Sequence, residues 1–318
     1  MAETNRADTT VSKRMKKNPT KKFRDEIEVA YAYQEETNWL TTSNRLLKEF
    51  AGKWHKQKAS LDRFVVNTIF SLVNLILPNL LFTKPHIRVK AKNPFYLRKR
   101  FDGAYEKHDN IKSAENMEAV INFVLEDVDA WENMQMAIQD ALFYANGYTK
   151  VGYSVETESE EDLDFIKEEN PFVMRVGPKD IGKHPLATNT GNSSVMVHHM
   201  MKHMDDLKEN KKYSNLNKVK ASLPKELAEK MRNRKKGDVT SEFAEVWEVH
   251  DQKKGMIYTY AGQNKVLIHK GKNPYQFKGS DFTMIKFAGD VDEFIGIPML
   301  GMKIGDLIYR NCIFISRW

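Results

Sequence analysis

Apolar positions recur at helical spacing through the first half of the chain and at every second residue through much of the rest. From Phe23 onward, Tyr31, Trp39, Leu46, Leu47, Phe50 and Trp54 return between polar residues such as Glu35, Lys48 and Lys53, which predicts helices buried along one face. The most apolar stretch, FVVNTIFSLVNLILPNLLF, runs from Phe64 to Phe82 and approaches the ~20 residues of a membrane span. Asn67, Ser71 and Asn74 line one helical face of it, Pro78 interrupts it, and KPHIRVKAKNP alternates directly after it. The expectation is therefore a buried helix over 64–77 that turns at Pro78 into a strand, with Ile87 and Val89 opposite Arg88 and Lys90. Its polar stripe is expected to meet protein, not lipid.

Residues 113–146 carry the clearest helical stripe, Met117, Val120, Ile121, Val124, Leu125, Val128 and Trp131, continuing through Ile138 and Leu142. Ser113 is the expected N-cap and Gly147 the expected left-handed C-cap. Strand patterns follow. Val151, Tyr153 and Val155 alternate on one face, and the acidic run 156–169, with eight acids and the single Lys167, reads as a solvated hairpin loop. PFVMRVGPKDI and Val195–Val197 read as further strands. Asp205 is expected to cap a basic helical region over 205–236. Beyond Gly237, FAEVWEVHD, MIYTYA and KVLIHKG form an antiparallel meander parted by Lys254-Gly255 and Gly262-Gln263, and FTMIKFAG gives one more strand. Pro298, at a favourable first position, opens a last helix towards Trp318. The predicted class is α+β, divided into a disordered basic arm (1–24), a helical part (25–147), a β-rich part (148–297) and the start of a helix (298–318).

Composition sharpens this picture in a few places. At 318 residues, 41% hydrophobic and 29% charged, the chain has the apolar content for a real core. Its net charge of +7 favours polyanionic partners. Residues 1–24 hold eight Lys/Arg against two acids, and the opening stretch has no apolar core of a secretory leader, which predicts a reducing cytoplasm. A single cysteine, Cys312, excludes a disulfide framework and cysteine-built zinc clusters.

Candidate chemistry is sparse. His198, His199 and His203 are the metal candidates, and a soluble metal-dependent DNA-processing enzyme built on them is the alternative function. No acid stands between His199 and His203, so the metalloprotease pattern fails, and on a strand their spacing does not chelate. There is no P-loop, dinucleotide fingerprint or nucleophile elbow, so no catalytic residue, metal or cofactor is assigned and an enzyme is not expected. The region 202–236 carries 12 Lys/Arg against 5 acids, with Tyr213 its only ring. It reads either as a solvated face or as a contact for a polyanion or a neighbouring subunit, through Lys211, Lys212, Lys218, Lys220, Arg232, Arg234, Lys235 and Lys236.

Taken in order, these segments resemble the portal proteins of tailed bacteriophages, of the podovirus-like long-portal kind. The resemblance rests on the helix ending FAGKWHKQ with the N-x-I-x-x-x-V-N-x-x-x-P helix and KPHIRVKAKNP behind it, on DALFYANGYTKVGYS, on PFVMRVGPKDIGKHPLA, and on AEVWEVHDQKKGMIYTYAGQ leading to DEFIGIPMLGMKIGDLIYRN. His184-Pro185 stands where the family pattern has Asp-Pro. The resemblance implies a wing leading to a stem-directed helix. It also implies a homo-oligomeric ring, usually of twelve, at a capsid vertex, through which double-stranded DNA is packaged and ejected without its sequence being read. Implied partners are terminase, scaffold and major capsid proteins and head-completion proteins, without a membrane. The implied location is the virion, with assembly in the host cytoplasm. In such a ring the acidic loop and basic region of neighbours would pair. The helix towards Trp318 stops at an apolar point, Ile313, Phe314, Ile315, which predicts that the clip, second stem helix and crown are absent from this chain.

Overall fold

The computed structural model describes residues 19–36, 39–52, 67–81, 83–93, 95–99, 101, 103, 105–157, 166–184, 186–221, 243–274 and 280–287. The helix directed at Trp318, most of the acidic loop and the first 18 residues lie outside them. Helices and antiparallel sheets share the described residues, and the fold is α+β.

Helix α1 (Pro19–Glu36) opens with proline in its first turn, where a missing N–H costs nothing. Phe23, Ile27, Ala30 and Gln34 form its buried face. Phe23, assigned to a disordered arm by its basic surroundings, is 1% exposed, and Arg24 Nε donates to the Lys265 carbonyl at 2.9 Å. Helix α1 therefore takes in the last residues of the expected arm. Burying Phe23 and Ile27 stabilises by ~1.5–3 kcal/mol each, which outweighs the charge around them.

Helices α2 (Trp39–Phe50), α3 (Thr68–Leu80) and α5 (Ala130–Tyr144) share a core of Leu46, Ile69, Val73 and Phe143. Asn67 caps α3, its side chain accepting from Phe70 N and donating to the Phe50 carbonyl. Ser71 and Asn74 are exposed, so among the described residues only the first member of the polar stripe meets another element. Pro78 sits inside α3 instead of ending it. No strand follows: residues 84–91 join no sheet. A two-stranded hairpin, β1 (Phe95–Lys99) with β2 (Tyr105–Asp109), follows instead within the part expected to be mainly helical.

The stripe over 113–146 divides between α4 (Asn110–Asp127) and α5, parted at Asp129, which adopts a left-handed φ of 48°. Helix α4 starts at Asn110, so Ser113 is not its cap. Ala145, with φ 69°, takes the left-handed position predicted for Gly147. Gly147 has another task. It is the second residue of β3 (Asn146–Thr157), close under α5, and a Cβ there would lie 1.7 Å from the Ala137 carbonyl oxygen.

Strand β3 pairs with β4 (Ile166–Val176) and with β10 (Phe282–Lys286), in the order β10-β3-β4. Strands β3 and β4 pair antiparallel as expected on either side of the acidic run, though they extend into that run as far as Thr157 and Ile166. The second sheet has the order β5-β6-β7-β8-β9, with β5 Ile181–Lys183, β6 Val195–His203, β7 Phe243–Asp251, β8 Met256–Ala261 and β9 Val266–Lys272. Its last three strands are the predicted meander, turning at Gly255 and Gly262, both with positive φ. Along β7, Trp247 and Val249 face α1, while Ala244, Val246, Glu248 and His250 face the other way. That second face is covered at one end by residues 204–221 and at the other by the three-stranded sheet.

Candidate functional site

The basic region begins with α6 (Met204–Glu209), a helix of six residues. Its N-cap is His203, whose Nδ1 accepts from Asp205 N, so Asp205 lies inside the first turn. A long helix over 205–236 does not form in its described part: residues 210–221 run back over the sheet as a strap with one 3-10 turn at Leu216–Lys218. Leu207 is buried there, and Tyr213, Leu216 and Val219 pack on Ala244, Val246, Ala261 and Ile268. Ser214 N donates to the Ile268 carbonyl at 2.7 Å and Asn264 Nδ2 to the Lys218 carbonyl at 2.8 Å. These contacts turn apolar side chains inward, and the alternating lysines have nowhere to go but water. Lys211, Lys212, Lys218 and Lys220 are all exposed, and none has a carboxylate partner among the described residues. Arg232, Arg234, Lys235 and Lys236 lie outside the described residues.

The three candidate histidines lie on β6, where neighbours point to opposite faces. His199 stacks near Trp247, with ring centroids 5.4 Å apart, and its Nδ1 lies 3.5 Å from Asp180. His203 is at the strand end, 3.4 Å from Asp205. His198 turns the other way, into the space between the two sheets. On a strand, His199 and His203 are ~13 Å apart by rise alone. The strand thus separates the residues on which the metal-enzyme reading depended. Among the described residues no group of three or more His, Cys, Asp or Glu is placed to hold a metal ion.

His198 instead belongs to a buried charge cluster that sequence reasoning missed. Lys150 Nζ, from β3, lies 2.8 Å from Glu248 Oε2 on β7. His250 Nδ1 lies 3.1 Å from Asp281 Oδ2, which also accepts from Asn273 Nδ2 at 2.9 Å. His250 Nε2 and His198 Nδ1 approach the same Glu248 oxygen at 3.7 and 3.9 Å, too far for hydrogen bonds, and both nitrogens are buried without a partner. Phe282 is edge-on to both imidazoles.

Burial pushes the Glu248 carboxyl up, but the two imidazoles and the Lys150 ammonium outweigh it and hold the group well below the carboxylate range. Burial pushes His250 down, and Asp281 with Glu248 more than reverses this, so His250 is raised. His198 is lowered, by burial first and then by the nearby Lys150 and His250. The cluster thus sets Lys150 and His250 against Glu248 and Asp281, and the imidazole favoured in its charged form is His250, not His198. Its signal in the sequence was a lysine and two histidines at strand positions, each beside a valine (Val151, Val197 and Val249).

A second polar cluster sits at the end of β4. Arg175 holds Asp140 of α5 with two hydrogen bonds, one of 2.8 Å from Nη2, in a cleft of about 530 Å³ that also borders Lys179, Asp180 and His199. The Tyr31 hydroxyl, held protonated by burial and by Asp180, donates to the Asp180 carbonyl at 3.2 Å.

Exposed apolar side chains line two of the helices. Met117, Val120 and Phe123 of α4 are 57%, 60% and 68% exposed, and Phe70, Leu75 and Leu80 of α3 are also open. No helix among the described residues is long and apolar enough to cross a membrane. Compared with protein-family models and with curated protein sequences, the chain matches none.

Proposed function

We propose that this chain is a portal subunit, one member of a ring at a capsid vertex through which double-stranded DNA passes. The ordered resemblance of its segments supplies the reading, and the outward apolar face of α4 is the observation that supports it. A stripe at positions 117, 120 and 123 follows helical spacing as a buried stripe does, yet nothing among the described residues covers it. A ring subunit needs two different lateral patches, one for each neighbour, and covers such a face only on assembly. The exposed strap lysines would then serve as phosphate or subunit contacts, sensitive to salt and indifferent to base sequence. On this reading the protein is not an enzyme, works in the virion, and meets terminase, scaffold, major capsid and head-completion proteins. Light scattering of the chain beside a variant with Met117→Glu, Val120→Glu and Phe123→Glu tests it. Concentration-dependent oligomers that the substitutions dissolve support the reading, and a monomer at every concentration opposes it.

A further inference from the structure

The segment that was expected to be a strand, residues 84–92, lies extended along α4 and uses the helix as its pairing partner. Ile87 N donates to Asn122 Oδ1 at 3.0 Å, and Asn122 Nδ2 donates back to the Ile87 carbonyl at 2.9 Å. Val89 N donates to Glu118 Oε2 at 2.9 Å, and Lys84 Nζ meets Glu126 Oε1 at 3.0 Å. The helix offers a rung every four residues, a rise of ~6 Å. An extended chain offers an N–H on the same edge every two residues, ~6.6–6.8 Å. The two repeats match closely enough for side chains of one to hold the backbone of the other.

A chain held at this period sends alternate side chains to opposite faces. Ile87, Val89 and Ala91 share one face; His86, Arg88, Lys90 and Lys92 share the other, and these last four are all exposed. Among the described residues Arg88, Lys90 and Lys92 have no carboxylate partner. Residues 84–100 contain seven Lys/Arg and no acid, as much positive charge as the net +7 of the whole chain. A shallow groove of about 330 Å³ runs between Lys90, Lys92 and the first turns of α4 at Asn110 and Ser113.

We propose that residues 86–92 form a nucleic-acid phosphate rail, in which Arg88, Lys90 and Lys92 each contact a phosphate of one strand of a duplex. Nucleic acid offers negative charge at a constant stride along each strand, and a row of cations at constant stride is its complement. A folded acidic protein offers carboxylates at irregular spacing and gains nothing from the regular row. Each of the three cations meets a phosphate and not a base edge, so the contact carries no sequence information. The rail is complete in one chain and does not depend on ring assembly.

The test is fluorescence anisotropy of the full chain with a labelled duplex of random sequence across a salt series. A variant with Arg88→Gln, Lys90→Gln and Lys92→Gln is compared with one carrying Lys48→Gln, Lys253→Gln and Lys272→Gln, which removes equal charge elsewhere. Loss of three phosphate contacts should lower the slope of log affinity against log salt by about 2.7 and weaken binding about tenfold or more. The second variant should stay close to the parent. Equal effects in both variants, or no change of slope in the first, overturn the proposal. So does polyglutamate of matched charge displacing the duplex as well as unlabelled duplex does.

Discussion

Lys150 Nζ and Glu248 Oε2 lie 2.8 Å apart across the junction of the two sheets, 98 positions distant in the chain and with only 10% and 17% of their side chains exposed. This pair, with His250 and Asp281 behind it, fixes how β3 sits over β7. A buried pair is expensive to break from one side, because the remaining charge has no partner and no water.

Glu248→Leu is therefore expected to cost on the order of 3–5 kcal/mol, since it strands Lys150 and His250 together. The double substitution Lys150→Met with Glu248→Leu should cost less than Glu248→Leu alone. Urea unfolding of the parent, the single and the double variants measures both.

The histidines of the cluster predict a dome in stability against pH. His198 is lowered from its ordinary 6.5, so the unfolded chain protonates first and stability falls as pH drops below ~6.5. His250 is raised from the same value, so its contribution is full below ~6.5 and is lost as pH rises through its folded value. Glu248 adds a further loss at lower pH, as it is forced to protonate below the carboxylate range. Asp281 and Lys150 face the same space. Tm measured from pH 5 to 9 should peak near neutrality. His198→Phe should flatten the acid side near pH 6, and His250→Gln the alkaline side; a profile unchanged by both removes the cluster from the account.

Gly147→Ala should destabilise by ~3 kcal/mol or more, because the added carbon meets the backbone of Ala137 and not a movable side chain. Thermal unfolding and soluble yield report it. Gly103→Ala, where a Cβ meets nothing within 4 Å but φ is 85°, is expected to cost only its backbone strain.

The polar stripe of α3 separates into two behaviours. Asn67→Ala removes an N-cap and a donor to Phe50 and should cost ~1–2 kcal/mol. Asn74→Leu alters an exposed position and should leave the stability of the isolated chain within about 0.5 kcal/mol. Chemical denaturation of both variants distinguishes them.

Local signals carried the meander and the core face of α1: glycines at Gly255 and Gly262 mark turns that need positive φ, and Phe23, Ile27 and Ala30 repeat at helical spacing. What the sequence hid was set by distant partners. Nothing near Asp129 announces a break, since no glycine or proline stands there; α5 departs from α4 where it packs on β3 through Ala137 and Gly147. Val151 and Tyr153 share one face of β3, as their alternation predicts, yet they are 36% and 40% exposed while Lys150 on the other face is 8% exposed. Only a carboxylate brought in from β7 reverses that alternation. The strap cations were visible as charge, but their display on an irregular segment follows from Tyr213, Leu216 and Val219 finding the sheet.

Negative-stain imaging of the purified 318-residue chain tests the portal reading most directly. The account predicts closed rings with a central hole, or arcs of side-by-side subunits with constant curvature, both lost when Met117, Val120 and Phe123 become glutamate. A uniform field of single particles at high concentration, with no arcs and no response to those substitutions, would contradict it.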